Sequence, residues 1–477
     1  MIKESYIAGQ NFAFAKFAKL RGDVQLQAHQ QEVLDALEEQ DALLLYHGLG
    51  SGKSLSSIAA TEGMNTDVVV PASLRENYKK ELAKFTTTPG KRNVMSYESA
   101  SKGIKPQDAL VVDEAHRLGN SGTSRTKAML ELAPNYKKRI LLTGTPIRNH
   151  PHELAPLLRM LDPKNRDLPL DPTGFRQEFV EEEKIDPGFF RRIFLGMKPG
   201  ILEKAKNLGV IEKAFKGKVH HYQPDQDNFP ERRDQLVEVP MDQEHLDIYN
   251  TVIEKANPAL ARKIRSNFPL SKQETGKLNA FLTAPRIAVN SPEAYGGTKP
   301  SSKFLRAFDD FQRASKKNPG HKAITYSNFI EGGVEPYSRL LSKAKVPYGV
   351  FQGGLSDKAR KQLVEDYNTG KIKNLLITGA GSEGLDLKGT RAIQLLEPHW
   401  NDPRLEQAIG RGIRFGSHTH LPEEDRNVDV LRYLATIPKS FTQRLFGSDP
   451  DTSVDEYLYN LSKKKDALNQ QFLKTLR

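Results

Sequence analysis

The sequence predicts an α/β protein built from two parallel-sheet units in tandem, and three features predict it. Short apolar runs alternate with helical periodicity between about residues 24 and 160. The same rhythm returns from about residue 301. The runs of the first stretch are apolar instead of alternating with polar residues, the pattern of strands covered on both faces.

In the first unit the strand candidates are ALLLY (42–46), DVVV (67–70), ALVV (109–112) and RILLT (139–143). In the second they are KAITY (322–326), YGVF (348–351), NLLIT (374–378), AIQLL (392–396) and VDVLRY (428–433). Residues 161–300 read differently, as a polar, proline-punctuated stretch. Its segment KPGILEKAKNLGVIEKAFKGK (198–218) sets six lysines against Glu203 and Glu212. A solvated helix face and a phosphate-contacting insertion both fit that segment. The expected division is a first lobe over 1–160, a mostly helical insertion and linker over 161–300, and a second lobe over 301–445. A helical extension over 446–477 completes it, where TSVDEYLYNLSKKKDALNQQFLKTL places apolar residues at helical spacing.

Length and composition bound the function. A chain of 477 residues can form two to four domains, each with its own core. Its 71 Lys and Arg against 59 Asp and Glu leave a net charge of +12. That excess suits a phosphate-backbone partner, and a merely basic surface is the plain alternative. Cysteine is absent, which excludes disulfides and Cys-ligated zinc or iron–sulfur sites and fits a reducing compartment. Lys16 and Lys19 interrupt the N-terminal stretch, so it is not read as a signal peptide, and no window reaches membrane-span length. The expectation is a soluble intracellular protein that does not contact a membrane.

The stretch HGLGSGKS (47–54) carries the first chemistry. Gly48, Gly50 and Gly52 let the backbone bend so that successive N–H groups, including those of Leu49 and Ser51, converge on phosphate oxygens. Lys53 adds a positive charge for the β- and γ-phosphates of ATP, and the Ser54 hydroxyl is a Mg²⁺ ligand. The helix that follows points its positive end at the same phosphates. His47 stands where this pattern usually has its first glycine. Further on, ALVVDEAH (109–116) ends a strand in two acids. Asp113 is placed to hold Mg²⁺, and Glu114 to act as general base on the attacking water.

The order of motifs resembles the superfamily 2 ATPases, and within them the Swi/Snf-type branch. The resemblance rests on DEAH followed by RILLTGTPIRNHPHELAPLLRMLDP (139–163), and on VVVPASLRENYKKELAKF (68–85), where Tyr78 takes a position at which tryptophan is common. LQAHQQEVLDAL (26–37) is similar to the adenine-reading segment, with Gln30 as its glutamine. LLITGAGSEGLDL (375–387) and EPHWNDPRLEQAIGRGIR (397–414) look like the family's motifs V and VI. The sequence after motif VI and the stretch GKVHHYQPDQDNFP (217–230) look most like large-DNA-virus members such as the poxvirus nucleoside triphosphatase.

That resemblance implies two RecA-like lobes. Arg411 and Arg414, three apart on a helix, become arginine fingers on the γ-phosphate, with Gln407 beside them. Thr143 and Thr145 couple the ATP site to nucleic acid, and Gly384 and Asp386 contact nucleotide or share that coupling. Backbone-contacting positions fall at Ser73, Tyr97, Ser327, Gly353, Gly354 and Thr378, read without sequence specificity because no base-reading motif is visible. The partner implied is double-stranded or branched DNA, together with viral replication or transcription proteins. A viral member would work in the host-cell cytoplasm or nucleoid, or travel in the virion. Three readings stand at this point: a duplex translocase or strand-separating helicase, a nucleic-acid scaffold without hydrolysis, and an ATPase subunit of a viral complex.

Overall fold

The computed structural model describes residues 20, 21, 24–87, 89–189, 191, 192, 197–224, 229–379, 385–399, 402–438 and 451–477. The described residues form two compact units. The first takes in residues 20–181, 205–224 and 468–477, and the second 182–204 and 229–467.

The first unit is built on β1 (Ala42–His47), β2 (Thr66–Val70), β3 (Arg92–Ser96), β4 (Ala109–Asp113) and β5 (Lys138–Thr143). Two further strands, β6 (Val180–Ile185) and β7 (Gly200–Ala205), fall mostly in the second unit and pair into a separate two-stranded sheet. A last one, β8 (Val219–Tyr222), returns to the main sheet, whose order is β3-β2-β4-β5-β1-β8 with every pair parallel. The apolar runs explain this arrangement. Along β1, Leu43 and Leu45 join a cluster with Val33, Leu37, Ile58, Tyr78 and Leu82 from three helices. Ala42, Leu44 and Tyr46 point the other way, into a cluster with Leu118, Met129, Leu154 and Leu158. Alternate side chains thus feed opposite faces, and a strand flanked on both must be apolar at every position. Tyr78 is buried and its hydroxyl lies 2.9 Å from Ser57 Oγ, giving the phenol a polar partner inside the cluster. The closing residues Leu468, Phe472, Leu473 and Leu476 also belong to this unit's core.

The second unit repeats the plan with β9 (Glu231–Pro240), β10 (Ala323–Tyr326), β11 (Tyr348–Phe351), β12 (Asn374–Ile377), β13 (Ala392–Leu395) and β14 (Asn427–Thr436). Its order is β11-β12-β10-β13-β14-β9, again parallel throughout. One face buries Ile324, Tyr326, Ile393 and Leu395 against helices Asp357–Asn368 and Asp402–Gly412. The other buries Ala323, Leu376 and Tyr433 against helices Ser302–Lys317 and Glu335–Lys343.

Residues 161–300 are shared between the units. The helices Gln243–Ala256, Pro258–Arg265 and Lys272–Asn290 belong to the second, where Tyr249, Ile253, Leu260, Ile264 and Leu282 pack with Val454, Tyr457 and Leu458. A buried polar chain fixes that packing. Lys303 Nζ donates to Asn290 Oδ1 at 2.7 Å and to Asp455 Oδ2 at 2.6 Å, with both charged side chains fully enclosed. Removing one partner of such a pair costs about 3–5 kcal/mol, so the register of these helices is tightly specified. Among the described residues no helix is long and apolar enough to cross a membrane.

Candidate active site

The loop after β1 enters the helix Lys53–Ala60 through Gly52, whose φ of 73° is left-handed. A Cβ there would also come within 2.5 Å of Gln30 Nε2, the end of a flexible side chain that could shift, so it is the backbone angle that demands glycine. Gln30 and His29, from the helix Ala28–Glu39, hold the loop by its Ser51 carbonyl. His29 Nε2 donates to it at 2.8 Å and Gln30 Nε2 at 3.4 Å. Gly48 N donates to Tyr222 O at 2.8 Å, which ties the start of the loop to the end of β8.

His47 is accommodated by a chain of side chains. It is fully buried, with Nε2 2.8 Å from His220 Nδ1, and His220 Nε2 lies 3.1 Å from the Glu32 carboxylate. Glu32 can only accept, so His220 donates to it through Nε2 and receives from His47 at Nδ1. Burial first, and His220 next, push His47 down to about 3, so it stays neutral beside Lys53. Tyr222 stacks on His29 with ring centroids 3.6 Å apart. The sequence signal for this brace was the VHHY run at 219–222, whose meaning depends on β8 pairing with β1.

Lys53 Nζ donates to His47 O and Gly48 O, each at 3.0 Å. Burial lowers its pKa, while Glu114 and Asp113 oppose that shift. A Cβ on Gly144 would meet His47 O at 3.4 Å and Lys53 Nζ at 4.0 Å, so the TGTP turn after β5 lies against the same loop. Asp113 closes β4. Burial and then the neighbouring Glu114 raise its carboxyl to about 7, with Lys53 pulling the other way. The Asp113 carboxylate at the end of β4 and the Ser54 hydroxyl in the helix Lys53–Ala60 belong to the same unit, and both are oxygen donors of the kind a small hard cation takes. Asp113 and Ser54 therefore fit Mg²⁺, which would favour the ionised acid.

Glu114 follows with φ 54° and ψ 46°, in the left-handed region. Its Oε2 lies 3.3 Å from His116 Nδ1, and the same nitrogen is 2.9 Å from Thr143 Oγ1. Burial keeps His116 far below its usual pKa, so Glu114 faces a neutral ring and the contact is not an ion pair. Thr143 Oγ1 in turn accepts from Thr145 N at 3.1 Å. His116 thus joins Glu114 to Thr143, a role that the residue type alone did not signal.

The remaining predicted positions fall as follows. In the first unit Ser73 is exposed in the turn Ala72–Leu74, whereas Tyr97 is 1% exposed and buried behind the Asp113–Glu114 backbone. In the second unit Ser327 is buried, its hydroxyl 3.0 Å from Glu397 Oε1. Glu397, unassigned from sequence, also accepts from Asn290 Nδ2 at 3.1 Å. Thr378 is buried, with its N–H 3.3 Å from Phe351 O, and Gly353 and Gly354 form an exposed turn after β11. Arg411 is half-buried at the end of the helix Asp402–Gly412. Arg414 Nη1 donates to Leu385 O at 3.0 Å and lies 3.6 Å from Asp386 Oδ1, which brings motif VI onto motif V. Gly384 and the side chain of Gln407 lie outside the described residues.

The family model for the SNF2-related domain matches residues 93–294, and that for the helicase conserved C-terminal domain matches 304–416. A protein of Acanthamoeba polyphaga mimivirus named as an ATP-dependent RNA helicase, L538, is 29% identical over 455 residues, covering 92% of this chain and 94% of that protein. The African swine fever virus protein named termination factor NPH-I homolog is 25% identical, covering 92% of this chain and 76% of its own length. Chromatin remodeling factor mit1 of Schizosaccharomyces pombe is 25% identical over 64% of this chain and 21% of that protein. The Sulfolobus solfataricus SWI2/SNF2 ATPase core in complex with dsDNA aligns over 96% of this chain and 98% of that one at 18% identity. The TM-score of that alignment is 0.36. With both domain models matched in order and relatives aligned along nearly the whole length, the chain carries an SNF2-related domain followed by a helicase conserved C-terminal domain and is a helicase-type ATP hydrolase.

Proposed function

We propose that this chain is a DNA-stimulated ATPase motor that couples hydrolysis to movement along, or remodelling of, double-stranded or branched DNA. The observation that carries the reading is the convergence of Lys53, Asp113, Glu114, His116 and Thr143 behind one glycine loop, in a chain that continues into a helicase C-terminal domain. Lys53 and the loop N–H groups bind the phosphates, and Gln30 reads the adenine. Ser54 and Asp113 would hold Mg²⁺, which would neutralise phosphate charge when bound with ATP. Glu114 takes the proton of the attacking water. Arg411 and Arg414 stabilise the charge that develops on the transferred phosphoryl group. The His116–Thr143–Thr145 contacts carry the state of the base to the TGTP turn, and through it to bound nucleic acid.

The net charge of +12 supports a phosphate-backbone partner whose affinity falls as salt rises. Ser73, Gly353 and Gly354, at the surface of their units, are proposed contacts to that backbone. The name of the NPH-I homolog supports a place in a viral transcription complex. A second reading, RNA as the track, is favoured by the names of the mimivirus relatives. Steady-state ATP turnover on single-stranded, duplex and branched DNA and on RNA separates these. Greatest stimulation by duplex or branched DNA is expected. Greatest stimulation by RNA would select the second reading, and none by any nucleic acid would leave a scaffold or nucleotide switch.

A further inference from the structure

Left-handed backbone costs a non-glycine residue about 1–2 kcal/mol, so Glu114 holds it only because its surroundings fix it. The fixing group comes from outside the DEAH turn. Tyr97, which opens the short helix after β3, places its hydroxyl 2.5 Å from Asp113 O and 3.1 Å from Glu114 O. Those two carbonyls belong to the peptide planes on either side of the Glu114 Cα. The first plane sets φ of Glu114 and the second sets ψ, so one O–H directed at both oxygens constrains both angles.

Neighbouring groups hold the phenol in turn. The Arg125 guanidinium sits 5.5 Å from the centre of the Tyr97 ring and donates to Arg117 O at 3.1 Å. Glu114 O also accepts from Arg117 N at 2.9 Å, and Glu114 N donates to Asp113 Oδ1 at 3.0 Å.

We propose that Tyr97 is a positioning residue for the general base: its hydroxyl sets the backbone of Glu114, and with it the direction in which the carboxylate meets the attacking water. The inference rests on the proposed role of Glu114 and replaces the expectation that Tyr97 touches a nucleic-acid backbone. A phenol that merely satisfied two buried carbonyls would support folding without affecting turnover.

Tyr97→Phe in the full chain separates these roles, because it keeps the ring and its Arg125 contact and removes the O–H alone. At saturating ATP and DNA, kcat per folded molecule is expected to fall by about tenfold or more, as a misdirected catalytic group requires. The KM for ATP should stay within about twofold, since phosphate binding is untouched. Placed on Glu114→Gln, the same change should remove nothing further, because the group it positions is already gone. Unchanged kcat with a lowered Tm would overturn the proposal in favour of a structural role. Unchanged kcat with a raised DNA concentration for half-maximal stimulation would overturn it in favour of a surface contact. Wild-type turnover by Glu114→Gln alone would refute the role of Glu114 itself, and this inference with it.

Discussion

Glu114→Gln is expected to lower ATP turnover by about 10³-fold, the loss typical of removing a general base. Glutamine has the same length and keeps a polar group beside His116 Nδ1, now 3.3 Å from the carboxylate, but it cannot accept a proton from water. The Tyr97 contacts are made to main-chain oxygens and are unaffected. Equilibrium ATP binding should survive, because Lys53, the loop amides, Ser54 and Asp113 all remain. Single-turnover hydrolysis measured beside nucleotide binding tests both halves of the expectation. A variant that binds and hydrolyses normally would remove the base assignment; one that neither binds nor hydrolyses would point to a structural role instead.

Arg411→Ala and Arg414→Ala are each expected to reduce kcat by about 10²-fold or more, as the loss of charge stabilisation in phosphoryl transfer demands. Lysine at either position should rescue poorly, since an ammonium cannot reproduce the forked donor geometry. Loss of the helix is a weak alternative explanation. Leu405, Ala408 and Ile409 anchor Asp402–Gly412 to its sheet. Glu406, in the same helix, takes Arg232 Nη2 at 2.9 Å and Arg432 Nη2 at 3.0 Å from β9 and β14. Arg414 does carry a local cost, the contacts to Leu385 O and Asp386. A Tm comparison therefore accompanies its kcat. Full turnover by both alanine variants would show that the second unit supplies no charge to the reaction.

How much of this was legible from sequence depended on whether the signal was local. The strands β1, β2, β4 and β5 were found at nearly their observed bounds because burial on both faces forces apolar residues at every position. The strand β9 was missed. It begins ERRDQ, and its first six residues are exposed, because it lies at a sheet edge and pairs with β14 across almost two hundred residues. β8 was missed for a related reason, since VHHY reads as a strand beside β1 and as nothing in isolation. The phosphate loop and the Asp113–Glu114 pair were legible because their chemistry is contained in adjacent residues. Contacts that join distant segments were not. Tyr97 was expected at a nucleic-acid surface, yet its hydroxyl faces the backbone of Asp113 and Glu114, sixteen and seventeen residues on. The His47–His220–Glu32 chain likewise joins three elements separated by up to 188 residues.

On the proposed function, ATP hydrolysis moves this protein along duplex DNA. Release of a third strand from a DNA triplex, followed as a function of ATP, tests it most directly. Wild-type protein is expected to displace the third strand with ATP, to fail with a non-hydrolysable analogue, and to lose the activity on Glu114→Gln. DNA-stimulated hydrolysis that leaves the third strand in place would contradict it.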